Sequence, residues 1–386
     1  IYYDDHYIMP DGKWMFYAVK RENDRHIYTY FKNLVTGQIL QELLDVTYVV
    51  WAADNLHVFY TVRDDMGRDY RVYRHRLGTK MSEDTLVLQE DNPELSFIVH
   101  TNGPKNYIFI NSLGIGNQVY YLNSHNPTEK PKLFAKQQKD RTYDVYEHNK
   151  QFVIMANQHD GKAMLNYMLF SCAIDGPTES ENWQVLLPHK DNVFLSEVVL
   201  FSRYLFVYEY ANALPRMRII EADSSGQLQV DAPYHYMQPP ETADAMGEYG
   251  FLPVSYEEKT VHFRYSSFVT PQSNYAYNMS TRTLTLRSQS KIHNYDPSLY
   301  VTKQIMVDRP PRAAEEGPEV LPKDMRIPVT IAYRRDKLRM DGTNPCWLRA
   351  TNTRGAAMMP QFEAQIISLL DRGYVYAMVH TRGGGE

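Results

Sequence analysis

The strongest constraint on this chain is a turn that recurs. Short polar segments, each followed by an aromatic and β-branched run, begin near residues 10, 53, 103, 148, 201 and 256. They are Pro10-Asp11-Gly12 before WMFYAV, Ala53-Asp54-Asn55 before HVFYTV, Gly103-Pro104-Lys105-Asn106 before YIFI, His148-Asn149-Lys150 before FVIMA, Phe201-Ser202-Arg203 before YLFVYEY, and Tyr256-Glu257-Glu258-Lys259 before VHFRYSS. Asp, Asn and Gly tolerate the left-handed backbone of a tight hairpin, and the flanking runs alternate side to side. A second strand pair follows each hairpin: HIYTYFKN then TGQILQEL near the start, RMRIIEA then QLQVDAP in the fifth unit, and NYAYNMS then RTLTLRSQ in the sixth. Four strands every ~43–55 residues is the period of a propeller blade with loop insertions. A two-sheet sandwich is the competing arrangement, but sandwiches rarely sustain one long period over ~290 residues.

Composition agrees with a β-rich fold. Thirty-one Tyr, 15 Phe and 4 Trp in 386 residues favour strands, because flat rings pack well on a pleated surface. The net charge of −5 provides no field that would collect nucleic acid or anionic lipid. Two cysteines, Cys172 and Cys346, are too few for a disulfide framework or a Cys-based zinc site; they read as two buried thiols in a reducing compartment. No HExxH occurs and the 13 histidines lack ligand spacing, so neither a metal nor a cofactor is expected. No apolar run approaches the ~20 residues of a membrane-spanning helix, and the start lacks a signal-peptide pattern. A cytoplasmic protein is expected. Asn278-Met279-Ser280 matches a glycosylation sequon, which would be idle in that compartment.

The pattern changes after residue 308. Asp308 to Pro318 is rich in proline and charge and reads as an exposed loop. Ile327 to Asp336 alternates like a strand, Pro360 to Arg372 carries helical apolar spacing with Gly373 as a stop, and Tyr374 to His380 reads as a buried strand. These segments predict the opening of an α/β domain with a partly parallel sheet. Its last strand runs into Arg382-Gly383-Gly384-Gly385-Glu386, a place where α/β folds put ligand-handling loops and where glycines let backbone amides approach a substrate. No G-x-S-x-G nucleophile elbow occurs in the chain.

Taken in order, PDGKWMFYAV, VVWAADNLHVFYT, YRVYRHRLGT, ENWQVLLPH, ALPRMRI, YSSFVTPQ, IPVTIAYRRD and SLLDRGYVYAMVHTRGGGE resemble the prolyl oligopeptidase family of serine peptidases, its oligopeptidase B branch most of all. The resemblance implies a seven-bladed propeller joined to an α/β-hydrolase domain. Six blades would then lie in this chain, as residues 1–305, followed by a linker at 306–322 and the start of an incomplete hydrolase domain at 323–386. Ile1 would fall after the first blade and Glu386 before the nucleophile, so the Ser, Asp and His of the family triad would lie beyond Glu386. The implied substrates are short peptides cut after Lys or Arg, admitted through a propeller that excludes folded proteins. On this reading the chain alone is inactive. Glu90, Asp91 and Glu94 read as solvated hairpin faces rather than as selectors of basic side chains.

The resemblance breaks at one place. The family places a tyrosine whose hydroxyl helps to bind the oxyanion shortly after an Asn-Pro, and an ungapped alignment from Pro345 to Ser368 puts Thr351 there. A threonine hydroxyl sits too near its backbone to reach the same point. Arg349 is also unusual for a strand that the family places centrally, since a buried arginine is costly unless paired. These departures leave three accounts open: a non-catalytic propeller that serves as a scaffold or binds a protein partner, a damaged or mis-translated segment of a peptidase gene, and an enzyme whose oxyanion donor is shifted.

Overall fold

The computed structural model describes residues 2–9, 11–22, 26–114, 116–242, 245–252, 255–308, 326–351 and 358–381, with the side chains of residues 2–7 and 351 left out. Among these residues, six antiparallel four-stranded sheets follow one another along the chain, and a seventh sheet is mixed. The chain divides into two compact units, residues 1–189 with 224–231, and residues 190–223 with 232–386.

The first unit holds four sheets, spanning residues 2–44, 46–89, 96–133 and 143–187, each with its strands in sequence order. The recurring turns join the first two strands of each sheet, as predicted. Asn55 and Asn149 take positive φ of 57° and 49° there, a region that asparagine tolerates because its short amide can bond locally. Apolar residues of neighbouring sheets interdigitate. Phe16, Phe31 and Leu43 of the first meet Val46, Trp51 and Tyr60 of the second. Phe109 and Val119 of the third meet Phe152 and Phe170 of the fourth, with Phe134 and Trp183 filling the seam. Burying one such side chain contributes about 1.5–3 kcal/mol, so each seam is held mainly by its aromatic residues.

The second unit holds sheets at residues 193–236 and 248–289 and the mixed sheet. Asn212 and Ala213, both at positive φ, form the two-residue hairpin that reverses the chain within the first of these. One expected strand is absent: QLQVDAP is not a strand, and the fourth strand is Tyr234–Tyr236 instead. Residues 224–231 cluster with the first unit, where Leu228 is buried and the Gly226 carbonyl accepts from Asn149 Nδ2. Leu228 is buried there while Val230 is 55% exposed, so the alternation of that stretch does not mark a paired strand.

The mixed sheet runs in the order Tyr300–Asp308, Arg326–Arg334, Val375–His380, Cys346–Thr351. Residues 300–305, counted with the propeller in the sequence reading, form part of its outer strand and pair with Arg326–Arg334. Ile327 to Arg334 is a strand as expected, antiparallel to Val375–His380. The helix spans Ala364–Asp371 and buries Ile366, Ile367 and Leu370. It starts later than the apolar spacing suggests, because Glu363 is still extended at φ −131° and ψ 123°.

Candidate active-site strand ends

The chemistry expected of the mixed sheet depends on its two parallel strands. Cys346–Thr351 pairs with Val375–His380 in parallel register, and the helix forms the crossover between them. Local hydrogen bonds fix this unit at its lower end. Asn344 Nδ2 donates to the carbonyls of Lys337 (2.9 Å) and Gly373 (2.8 Å), and Val375 N donates to the Pro345 carbonyl. Gly373, at φ +85°, lets the chain leave the helix in the left-handed region while its N–H and that of Tyr374 bond to the carbonyls of Leu370 and Leu369. The Asp371 carboxylate accepts from Tyr300 OH and Arg334 Nη1, each at 2.7 Å, tying the helix end to two strands.

At the upper, carboxyl end the register places Thr351 opposite His380. His380 Nε2 lies 2.7 Å from the hydroxyl of Thr330, a fully buried residue whose hydroxyl is also 3.5 Å from Met246 Sδ. Burial holds the imidazole below its usual pKa, so the ring is neutral near pH 7 and either atom of the pair can be the donor. Sequence reasoning passed over His380 and Thr330 as ordinary strand residues. No local signal marks them, since their meeting depends on the pairing of two strands 50 residues apart.

The Thr351 backbone therefore lies at a strand end, where open α/β sheets gather their ligands. Its side chain, and the glycine-rich Arg382, Gly383, Gly384, Gly385 and Glu386, lie outside the described residues. One expectation needs correction, that of Cys346. Among the described residues Cys346–Thr351 is the edge of the sheet, and the Arg349 side chain is 45% exposed there with Nη1 3.8 Å from Glu363 Oε1. Its charge is solvated and partnered, so no large desolvation penalty arises. Cys346 is exposed at that same edge, whereas Cys172 is buried and its thiol is pushed up to about 12 by burial. Trp347 and Leu348 are 54% and 64% exposed beside it. Among the described residues no three His, Cys, Asp or Glu side chains are grouped to hold a metal ion, and no helix is long and apolar enough to cross a membrane.

Successive four-stranded sheets followed by a strand–helix–strand crossover define a β-propeller chain with α/β elements at its end. Residues 5–290 match the family described as prolyl oligopeptidase, N-terminal beta-propeller domain, and the chain belongs to that family. It is similar to dipeptidyl aminopeptidase BI of Pseudoxanthomonas mexicana, with 32% identity over 99% of this chain and 50% of the relative. It is similar to protease 2 of Moraxella lacunata at 22% identity, over 97% of this chain and 51% of the relative. The fold is that of oligopeptidase B from Leishmania major: TM-score 0.81 at 23% identity, over 99% of this chain and 52% of the other. The chain thus spans about half the length of the curated relatives it matches.

Proposed function

We propose that this chain is the propeller-bearing portion of a serine oligopeptidase that admits short peptides and cuts them after Lys or Arg. The observation that carries the reading is the parallel strand pair ending at Thr351 and His380, in a chain whose residues 5–290 match the propeller of the family. The sequence contains no G-x-S-x-G, so the nucleophile would come from residues outside these 386, and the chain by itself would be inactive. The preference for Lys or Arg rests on resemblance to oligopeptidase B. The relative named dipeptidyl aminopeptidase suggests a different outcome, release of amino-terminal dipeptides. The two thiols suit a reducing, cytoplasmic setting.

The test uses fluorogenic peptides with Lys or Arg before the scissile bond, given to the 386-residue chain and to the protein of which it is part. The longer protein should cleave them and be silenced by a serine-directed covalent inhibitor, while the 386 residues alone should not. Release of dipeptides without regard to Lys or Arg would overturn the proposed specificity. Inhibitor-sensitive turnover by the 386 residues would overturn their inactivity.

A second reading has its own observation. By resemblance, Thr351 would stand where the family has its oxyanion tyrosine, which favours a non-catalytic propeller that binds a protein partner. The sequence after Glu386 separates the two: a G-x-S-x-G-G followed by Asp and His supports the peptidase, and its absence supports the binding protein.

A further inference from the structure

The seam between the first two sheets contains a titratable group that neither reading uses. His75, on the strand Asp69–Arg76 of the second sheet, is fully buried. Its Nε2 lies 2.8 Å from Glu42 Oε2, on the strand Ile39–Leu44 of the first sheet, and its Nδ1 lies 2.7 Å from Asp84 Oδ1. The second Asp84 oxygen accepts from Tyr60 OH at 2.7 Å, and both Glu42 oxygens accept from the Gly78 N–H at 3.0 Å. Phe31 of the first sheet stacks on the ring, with centroids 6.0 Å apart.

Ionised carboxylates only accept hydrogen bonds, so a ring that meets one at each nitrogen needs a proton on both. A neutral imidazole would turn a lone pair toward one carboxylate in a site closed to water. We propose that His75 is a buried imidazolium clasp that joins the first sheet to the second, and that loss of its second proton opens this seam. The ionisable groups that face the ring are Glu42 from the first sheet, Asp84 from the segment after Met81–Glu83, Tyr60 from the adjacent strand and, stacked on Tyr60, Tyr73 from its own strand. Burial alone would lower the ring's pKa. The bonds to Asp84 and Glu42 outweigh it and raise the value to about 9. The raised value means that the clasp is complete below the ordinary histidine range, near 6.5, and is lost as pH rises through about 9.

The 386-residue chain tests this directly. Imidazole ¹⁵N spectra at pH 7.5 should show His75 protonated at both nitrogens. Hydrogen exchange, corrected for its intrinsic pH dependence, should show protection of residues 39–44 falling by up to about tenfold per pH unit between about 6.5 and 9 and levelling above that. Residues 107–123 of the third sheet serve as the internal reference. His75→Gln can donate to one carboxylate only, and should show the weakened protection already at pH 7.5 with no further fall. Should that variant not fold, the unaltered protein still decides. A neutral ring at pH 7.5, or protection of 39–44 that tracks the reference between pH 7.5 and 10, overturns the clasp.

Discussion

Thr351 stands opposite His380 at the carboxyl ends of two parallel strands, and the His380 ring reaches a third strand through Thr330. This places the end of one parallel strand beside a half-buried histidine that burial keeps neutral near pH 7.

The first prediction follows from that placement. If the longer protein carries an intact triad, Thr351→Tyr should raise kcat by about 10²-fold with little change in KM, because an oxyanion donor acts mainly in the transition state. Thr351→Tyr together with Arg349→Tyr, which restores an aromatic residue to the strand, is the companion variant. Steady-state kinetics of these forms is the check, with thermal melting to show intact folding. An unchanged kcat would mean that the oxyanion is held by other donors.

A second prediction concerns the seam of the third and fourth sheets. Phe152 is fully buried, with the rings of Tyr107, Tyr121 and Phe134 at centroid distances of 5.3, 5.5 and 5.2 Å. Phe152→Ala should cost about 3–5 kcal/mol, because the three surrounding rings cannot close over the void. Urea unfolding followed by tryptophan fluorescence should show the loss, since Trp183 shares that cluster.

Glu147 supplies a pH prediction. Burial raises its pKa to about 7 although Asn106 donates to it through both N and Nδ2. A carboxyl raised from about 4.5 binds its proton more tightly when folded, so stability should fall as pH rises from about 4.5 through 7, by on the order of 1–3 kcal/mol. Glu147→Gln should flatten that part of the stability profile. Urea midpoints at pH 5.0 and 8.0 measure it, and an unchanged slope in the variant would assign the effect to another group.

The edge strand predicts association. Trp347 and Leu348 are exposed on a strand with one unpaired side among the described residues, a combination that invites pairing with another chain. Leu348→Lys should lower the oligomer fraction of the 386-residue chain in light scattering at high protein concentration. An equal fraction in both forms would place self-association elsewhere.

The blades were legible because their signals are local. A turn residue such as Asn55 and the alternation beside it specify a hairpin without reference to the rest of the chain. Failures came where distant partners decide. The stretch 227–233 alternates like a strand, yet Leu228 is buried in the first unit, and Tyr234–Tyr236 takes the ladder instead. Cys346 was expected to be buried because thiols usually are, but its exposure is set by which strands flank it, a property of the sheet and not of the residue. The candidate site was the least legible. Thr351 was singled out by alignment, and His380 with Thr330 meets only after strands have paired.

The excursion of residues 224–231 into the first unit bears on how the chain is made. A nascent chain emerging up to residue 189 carries four sheets but lacks Leu228 and the Gly226 carbonyl, which the unit buries and binds. Residues 190–223 must therefore leave the ribosome before the first unit is complete, so the early part of the protein has to wait, partly finished, for a piece encoded later. A pause in translation just before residue 224 would prolong that wait, and slowing or speeding it with synonymous codons should change the yield of folded protein without altering a single residue.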